Sequence, residues 1–165
     1  MTQRRGKWSD PGVPHRGWHC IDLEDLGEPL QQCEMCEAQE IRYVHHMKHP
    51  AYPKTLGVGC VCAGHMEQDL LGARARDALI QARASKRRRW LTRRWKVSAK
   101  GNEWLQTDGY RVIVYPKASA WGVTVVDVAT DGTTHGRRFH PSPDRAKLAA
   151  FDFITRLLAA RNAGA

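Results

Sequence analysis

Apolar and polar positions alternate along the last third of the chain. "YRVIVY" (Tyr110 to Tyr115) has the period of two expected of a strand. "WGVTVVDV" (Trp121 to Val128) repeats it, setting Trp121, Val123 and Val125 against Thr124, Val126 and Val128. Asp131-Gly132 in "ATDGTT" is a hairpin signal, and "THGRRF" follows as a third strand. The period then changes. In "SPDRAKLAAFDFITRLLAA", Ser142 is placed to cap a helix, Pro143 to take its first position and Asp144 to suit its dipole. Ala146, Ala150, Phe153, Ile154, Leu157 and Leu158 share one side of that helix. The pattern predicts a three-stranded antiparallel sheet with a C-terminal helix on one face and the other face free. "RNAGA" reads as a frayed end.

Upstream, Leu71, Ala75, Ala78, Leu79 and Ala82 recur at helical spacing and read as the inner stripe of one long helix or two. Beyond Ala84 the stripe gives way to Arg and Trp, with Leu91 four residues before Trp95. Residues 18–66 have no sustained period and hold most of the Cys and His. Residues 1–17 are polar, with Gly and Pro, and are expected to form a loose basic tail. The expected organisation is a tail (1–17), a metal-binding module (18–66), a basic helical segment (67–97) and a sheet-plus-helix domain (98–165). The fold class is α+β. No internal repeat is present.

A chain of 165 residues with a hydrophobic fraction of 42% suits one compact domain or two small ones. It has no apolar run of membrane-spanning length, and its N-terminus lacks the apolar centre of a signal peptide. A cytoplasmic location with no membrane partner is expected. In that reducing setting clustered cysteines bind metal more often than they form disulfides.

The net charge is +9, and it is concentrated. No acidic residue lies between Asp77 and Glu103, a stretch carrying Arg83, Lys86, Arg87, Arg88, Arg89, Arg93, Arg94, Lys96 and Lys100. Those nine charges equal the net charge, so the rest of the chain sums to zero. A block of this kind points to an anionic partner, nucleic acid first. Trp90 and Trp95, set among the arginines, are expected to anchor the helix in a core, leaving the arginines to face phosphates. An anionic membrane surface would require a clean apolar face, which this helix lacks.

The stretch from Cys33 to Asp69 holds four of the five cysteines and four of the eight histidines. A tetrahedral zinc site needs four S or N ligands, and pairs separated by two residues can point at one ion. Cys33-x-x-Cys36 is one such pair, in a knuckle turn. Cys62-x-x-His65 is the second, on a helix expected to begin near Gly64. Four protein ligands close a site, so the expected zinc is structural, about one per chain. Cys20 stands apart and reads as core. The βαβ context of a redox Cys-x-x-Cys is missing. His45, His46 and His49 invite a metal-dependent nuclease reading, which needs a more complete constellation than the sequence offers.

A knuckle from a hairpin plus a pair from a helix start is the layout of a treble-clef finger. "CEMC…RYVHHMKHP…LGVGCVCAGHME" resembles a recurrent bacterial and phage module, C-x-x-C followed by a hairpin and V-G-x-x-C-A, over residues 18 to 97. In that pattern the second-half cysteine matches Cys62 and Cys60 is extra. The fourth ligand stays open: His65 first, then Cys60, then His49 or His46.

"YRVIVYPKASAWGVTVVDVATDGTTHGRRFHPSPDRAKLAAFD" is similar in order to the β3α DNA-binding domains of plant ethylene-response factors and of some phage integrase N-termini. The shared cues are a Trp opening the second strand, a D-G turn, a Gly in the third strand and an Ala-rich helix. The resemblance implies a sheet face that enters a major groove, with Arg111, Thr124 and one of Arg137 or Arg138 reaching bases. The first strand departs from the pattern in having one Arg where such domains carry several. Arg137 and Arg138 are adjacent, so on a strand they would face opposite sides. The combined expectation is a non-enzymatic, zinc-containing nucleic-acid-binding protein of bacterial type, with DNA favoured over RNA. The alternative is an adaptor whose basic helix docks on an acidic protein.

Overall fold

The computed structural model describes residues 6–165; the first five residues of the expected tail lie outside the described residues. The fold is α+β, with three α-helices and antiparallel sheets. It divides into two compact units, Met1–Ala84 and Ser85–Ala165.

In the first unit, β1 (His19–Asp25), β4 (Tyr43–His49) and β5 (Tyr52–Val58) form an antiparallel sheet in the order β1-β4-β5. A two-residue ribbon, β2 (Gln31–Gln32) with β3 (Glu40–Ile41), brackets the segment that carries Cys33 and Cys36. Helix α1 (Cys60–Glu67) follows β5 directly, capped by Gly59. The expected helix start near Gly64 is therefore one turn late. Gly64 lies inside α1, where a Cβ would fall 2.6 Å from Leu70 Cδ1 and 2.8 Å from Leu70 Cα. The glycine is needed because α1 turns back so tightly into α2 (Leu70–Leu91).

Two expectations for this unit are overturned. Residues 6–17 are not loose. A turn of 3-10 helix (Gly6–Ser9) buries Trp8, and Val13 is buried beside it in the core that holds Trp18, Met35, Met47 and Met66. Gly6 makes this possible: at φ +69°, a Cβ there would sit 2.8 Å from the Cys36 carbonyl. The expected stripe of α2 also faces the wrong way. Leu71 is 79% exposed and Leu79 73%, while Ala73 is fully buried. Polar pairing sets the orientation, because Asp77 reaches His45 and Arg76 reaches Glu67. Helical spacing marks a stripe but not the side on which its partner lies.

The second unit is built on five strands rather than three: β6 (Lys96–Val97), β7 (Glu103–Thr107), β8 (Tyr110–Lys117), β9 (Ala120–Asp127) and β10 (Thr133–His135). Their order is β10-β9-β8-β7-β6. The signal for β7 is Asp108-Gly109, with φ of 51° and 83°, the double positive-φ pair that a two-residue hairpin requires. It joins Thr107 to Tyr110. Helix α3 (Pro143–Ala163) packs on β8 and β9 through Ala146, Ala150 and Ile154, all buried, with Phe153, Leu157 and Leu158 half-buried at the margin. Its last turn is not frayed: Arg161 donates to the Tyr110 hydroxyl at 2.9 Å. Trp90 is buried in this core and donates from Nε1 to the Lys147 carbonyl at 2.8 Å, with Trp95 packed edge-on against it.

The Ser142 hydroxyl caps α3 by accepting from the Arg145 N–H at 3.2 Å. Ser142→Ala is expected to destabilise this unit by about 1 kcal/mol, and Ser142→Asn by much less. Urea unfolding followed by Trp fluorescence checks this, and equal midpoints for the two variants would mean that the cap contributes nothing.

Candidate metal centre

The knuckle is made by backbone geometry. Cys33 N–H donates to the Gln39 carbonyl and Glu37 N–H to the Cys33 carbonyl, both at 2.8 Å. Glu37 closes the turn in the left-handed region at φ 53°. This aims Cys33 and Cys36 at α1, where Cys62 lies in the first turn. The ligand atoms of Cys33, Cys36 and Cys62 all lie within 4.8 Å of one another. A tetrahedral site with Zn–S bonds of about 2.3 Å wants sulfurs about 3.8 Å apart, so modest side-chain adjustment closes the gap. The three thiols could therefore hold a metal ion.

The surroundings suit an anionic sulfur. A hydrogen bond from Cys62 holds the Cys33 thiol down to about 5. Burial opposes this, and the Cys36, Gly59 and Met35 backbones reinforce it. Gly59 N–H reaches Cys33 Sγ at 3.5 Å from the start of α1. Cys62 is pushed up in return, first by its hydrogen bond with Cys33 and then by burial, while the Trp8 side chain hydrogen-bonds it and works the other way. One proton shared by two thiols is what a divalent cation would displace.

The fourth ligand is not supplied as expected. Among the described residues no further His, Cys, Asp or Glu joins the three thiols. His65 is exposed, its ring edge-on to Trp8 at 6.5 Å. Cys60 follows helical geometry: two residues from Cys62 is about 200° around the axis, so it points away. It groups instead with His45 and Asp77. His49 packs against Trp18 at 5.3 Å, and His46 pairs with Glu24 at 2.9 Å. His45 has no exposed surface.

No family model, curated protein or solved structure matches the chain. The centre is therefore read from its own chemistry.

The basic residues lie in several different settings. Lys86, Arg88, Arg89 and Arg94 are exposed. Ser85, Arg88, Arg89 and Thr92 line one shallow depression on α2. Others are engaged: Arg87 is paired with Asp152 at 3.2 Å, and Arg93 donates to Thr107 Oγ1 at 3.0 Å and lies over Trp90. Register places Arg111, Ile113 and Tyr115 of β8 on the sheet face away from α3, with Trp104 of β7 and Thr124 of β9. There Lys96 Nζ lies 4.7 Å and the Arg111 guanidinium 5.8 Å from the Trp104 ring. Thr124 is buried, its hydroxyl 3.0 Å from His135 Nδ1. Arg137 and Arg138 do not join this face. The third strand ends at His135, so both follow it in a loop and line one groove of about 500 Å³ on the α3 side.

Proposed function

We propose that the protein binds nucleic acid, DNA before RNA, without catalytic activity, and that Cys33, Cys36 and Cys62 hold a structural zinc in a treble-clef-like module. The carrying observation is the end of α2. Lys86, Arg88, Arg89 and Arg94 have no carboxylate partner among the described residues and lie in a stretch free of acidic residues. Arg88 and Arg89 share their depression with two hydroxyls, the donor set that phosphate oxygens accept. The free sheet face adds Trp104 between Lys96 and Arg111, with Tyr115 farther along β8, a surface on which a base can stack. The knuckle and the cysteine at a helix start support the zinc reading by donor chemistry and softness.

The adaptor reading uses the same charges on an acidic protein surface. Anisotropy titrations with duplex and single-stranded DNA and RNA probes separate the two. Nucleic acid should bind with log K falling by about 0.9 per log unit of salt for each phosphate contact on a duplex, a slope near −4 if four side chains engage. Absence of binding to every probe at about 50 mM salt would reject the proposal and leave the adaptor.

A further inference from the structure

The first unit holds a second convergence of metal-ligating side chains, sharing no residue with the three-thiol centre. His45 comes from the central strand β4, Cys60 from the first position of α1 and Asp77 from α2. Their ligand atoms all lie within 4.8 Å of one another. We propose that these three residues form a second metal site, taking a zinc-class divalent cation through one imidazole nitrogen, one thiolate and one carboxylate oxygen, with water completing the tetrahedron.

Three observations carry this. First, His45 Nε2 and Asp77 Oδ1 are 3.1 Å apart. Ligands bound to zinc at about 2.0–2.1 Å in tetrahedral geometry lie about 3.3 Å apart, so these two atoms already have the spacing of a shared ion. Gln81 Nε2 donates to the other carboxylate oxygen, Oδ2, at 2.5 Å, which turns Oδ1 toward the imidazole. Holding a ligand from behind in this way is what outer-shell partners do in metal sites.

Second, His45 is fully buried and its Nδ1 has no hydrogen-bond partner. A histidine kept in a core for structure alone uses both ring nitrogens, because an orphan nitrogen there loses its water without replacement. His45 is anchored at Nε2 alone, so a single contact to Asp77 compensates its burial poorly; a metal bond at Nε2 would replace that contact with a stronger one, while Nδ1 stays without a partner.

Third, the charges cancel. One thiolate, one carboxylate, a neutral imidazole and a divalent cation sum to zero, which suits a site with a fully buried His45 and a largely buried Asp77 at 16% side-chain exposure. Mixed S, N and O donors favour zinc over the oxygen-seeking magnesium or calcium.

The test is a cobalt(II) titration of the metal-free full chain, read by absorbance, with zinc content measured on protein purified without chelator. Two equivalents are expected where the sequence suggests one. The second should carry about one third of the sulfur-to-cobalt charge-transfer intensity of the first, because it contributes one thiolate against three. Asp77→Asn, which keeps size and the Gln81 contact, should lose one equivalent and retain the three-thiolate spectrum. Cys36→Ser should damage the other equivalent, so failure of one centre is distinguishable from failure of the other. Saturation of the native protein at one equivalent with a three-thiolate spectrum would overturn the proposal and leave His45–Asp77 as a plain hydrogen bond. The native spectrum decides even where a variant does not fold.

Discussion

Cys62→Ser is expected to unfold the N-terminal unit at 25 °C while the C-terminal unit keeps its own melting transition. The N-terminal unit has a thin core. Its three-stranded sheet, two-residue ribbon and short α1 leave Met35, Met47 and Met66 to fill the interior, with Trp8 brought in from the N-terminal turn. Cys62 faces Cys33 and Cys36 across that core, so its loss removes the atom that ties the knuckle to α1. Metal binding at structural zinc sites is worth on the order of 10 kcal/mol, against a total stability of about 5–15 for a domain. A chelator should reproduce the effect. Acid should do so too, because protons compete with the metal for thiolates and its affinity falls as pH falls. Circular dichroism melts should show two transitions in the native protein and only the C-terminal one in the variant. Cys20→Ser is the control: Cys20 belongs to neither ligand group and its thiol donates to the Asp22 carbonyl, a bond a serine hydroxyl can also make, so its melt should stay close to native. An unchanged profile for Cys62→Ser would remove the metal from the account of this fold.

What the sequence reveals about this molecule depends on how local each feature is. Helix α3 is legible because Ser142, Pro143 and Asp144 act within one turn. Strands β8 and β9 are legible because alternation is a property of consecutive residues. Strand β7 was equally available through Asp108-Gly109, but only when that pair is read as a hairpin of its own. The orientation of α2 is different in kind. It is set by His45, 32 residues before its partner Asp77, and by Glu67 at the end of α1, and no period within the helix encodes it. The second ligand group is the extreme case, since residues 45, 60 and 77 meet only after strand and helices have packed. Trp8 lay hidden in a polar stretch whose composition resembles a tail. A lone Trp there, beside a Gly able to pass close to another backbone, is the signal that could have found the turn.

Replacing Lys86, Arg88, Arg89 and Arg94 together by Ala is expected to abolish most nucleic-acid binding without disturbing the fold. These four were chosen by geometry. Arg87 and Arg93 are already committed to Asp152 and Thr107, so removing them would confuse stability with affinity. The four chosen side chains are exposed, and alanine favours the helical backbone at the positions within α2. Each lost phosphate contact should flatten the plot of log K against log salt by about 0.9, so the slope should become shallower by 3 to 4. Trp104→Ala tests the other surface and has a different signature. It should weaken single-stranded binding by about 1–3 kcal/mol for one lost stacking contact and leave the salt slope nearly as it was. The two surfaces thus predict separable losses, one in slope and one in intercept. A quadruple variant that kept the native slope would place the phosphate contacts elsewhere, with the Arg137–Arg138 groove the next surface to mutate.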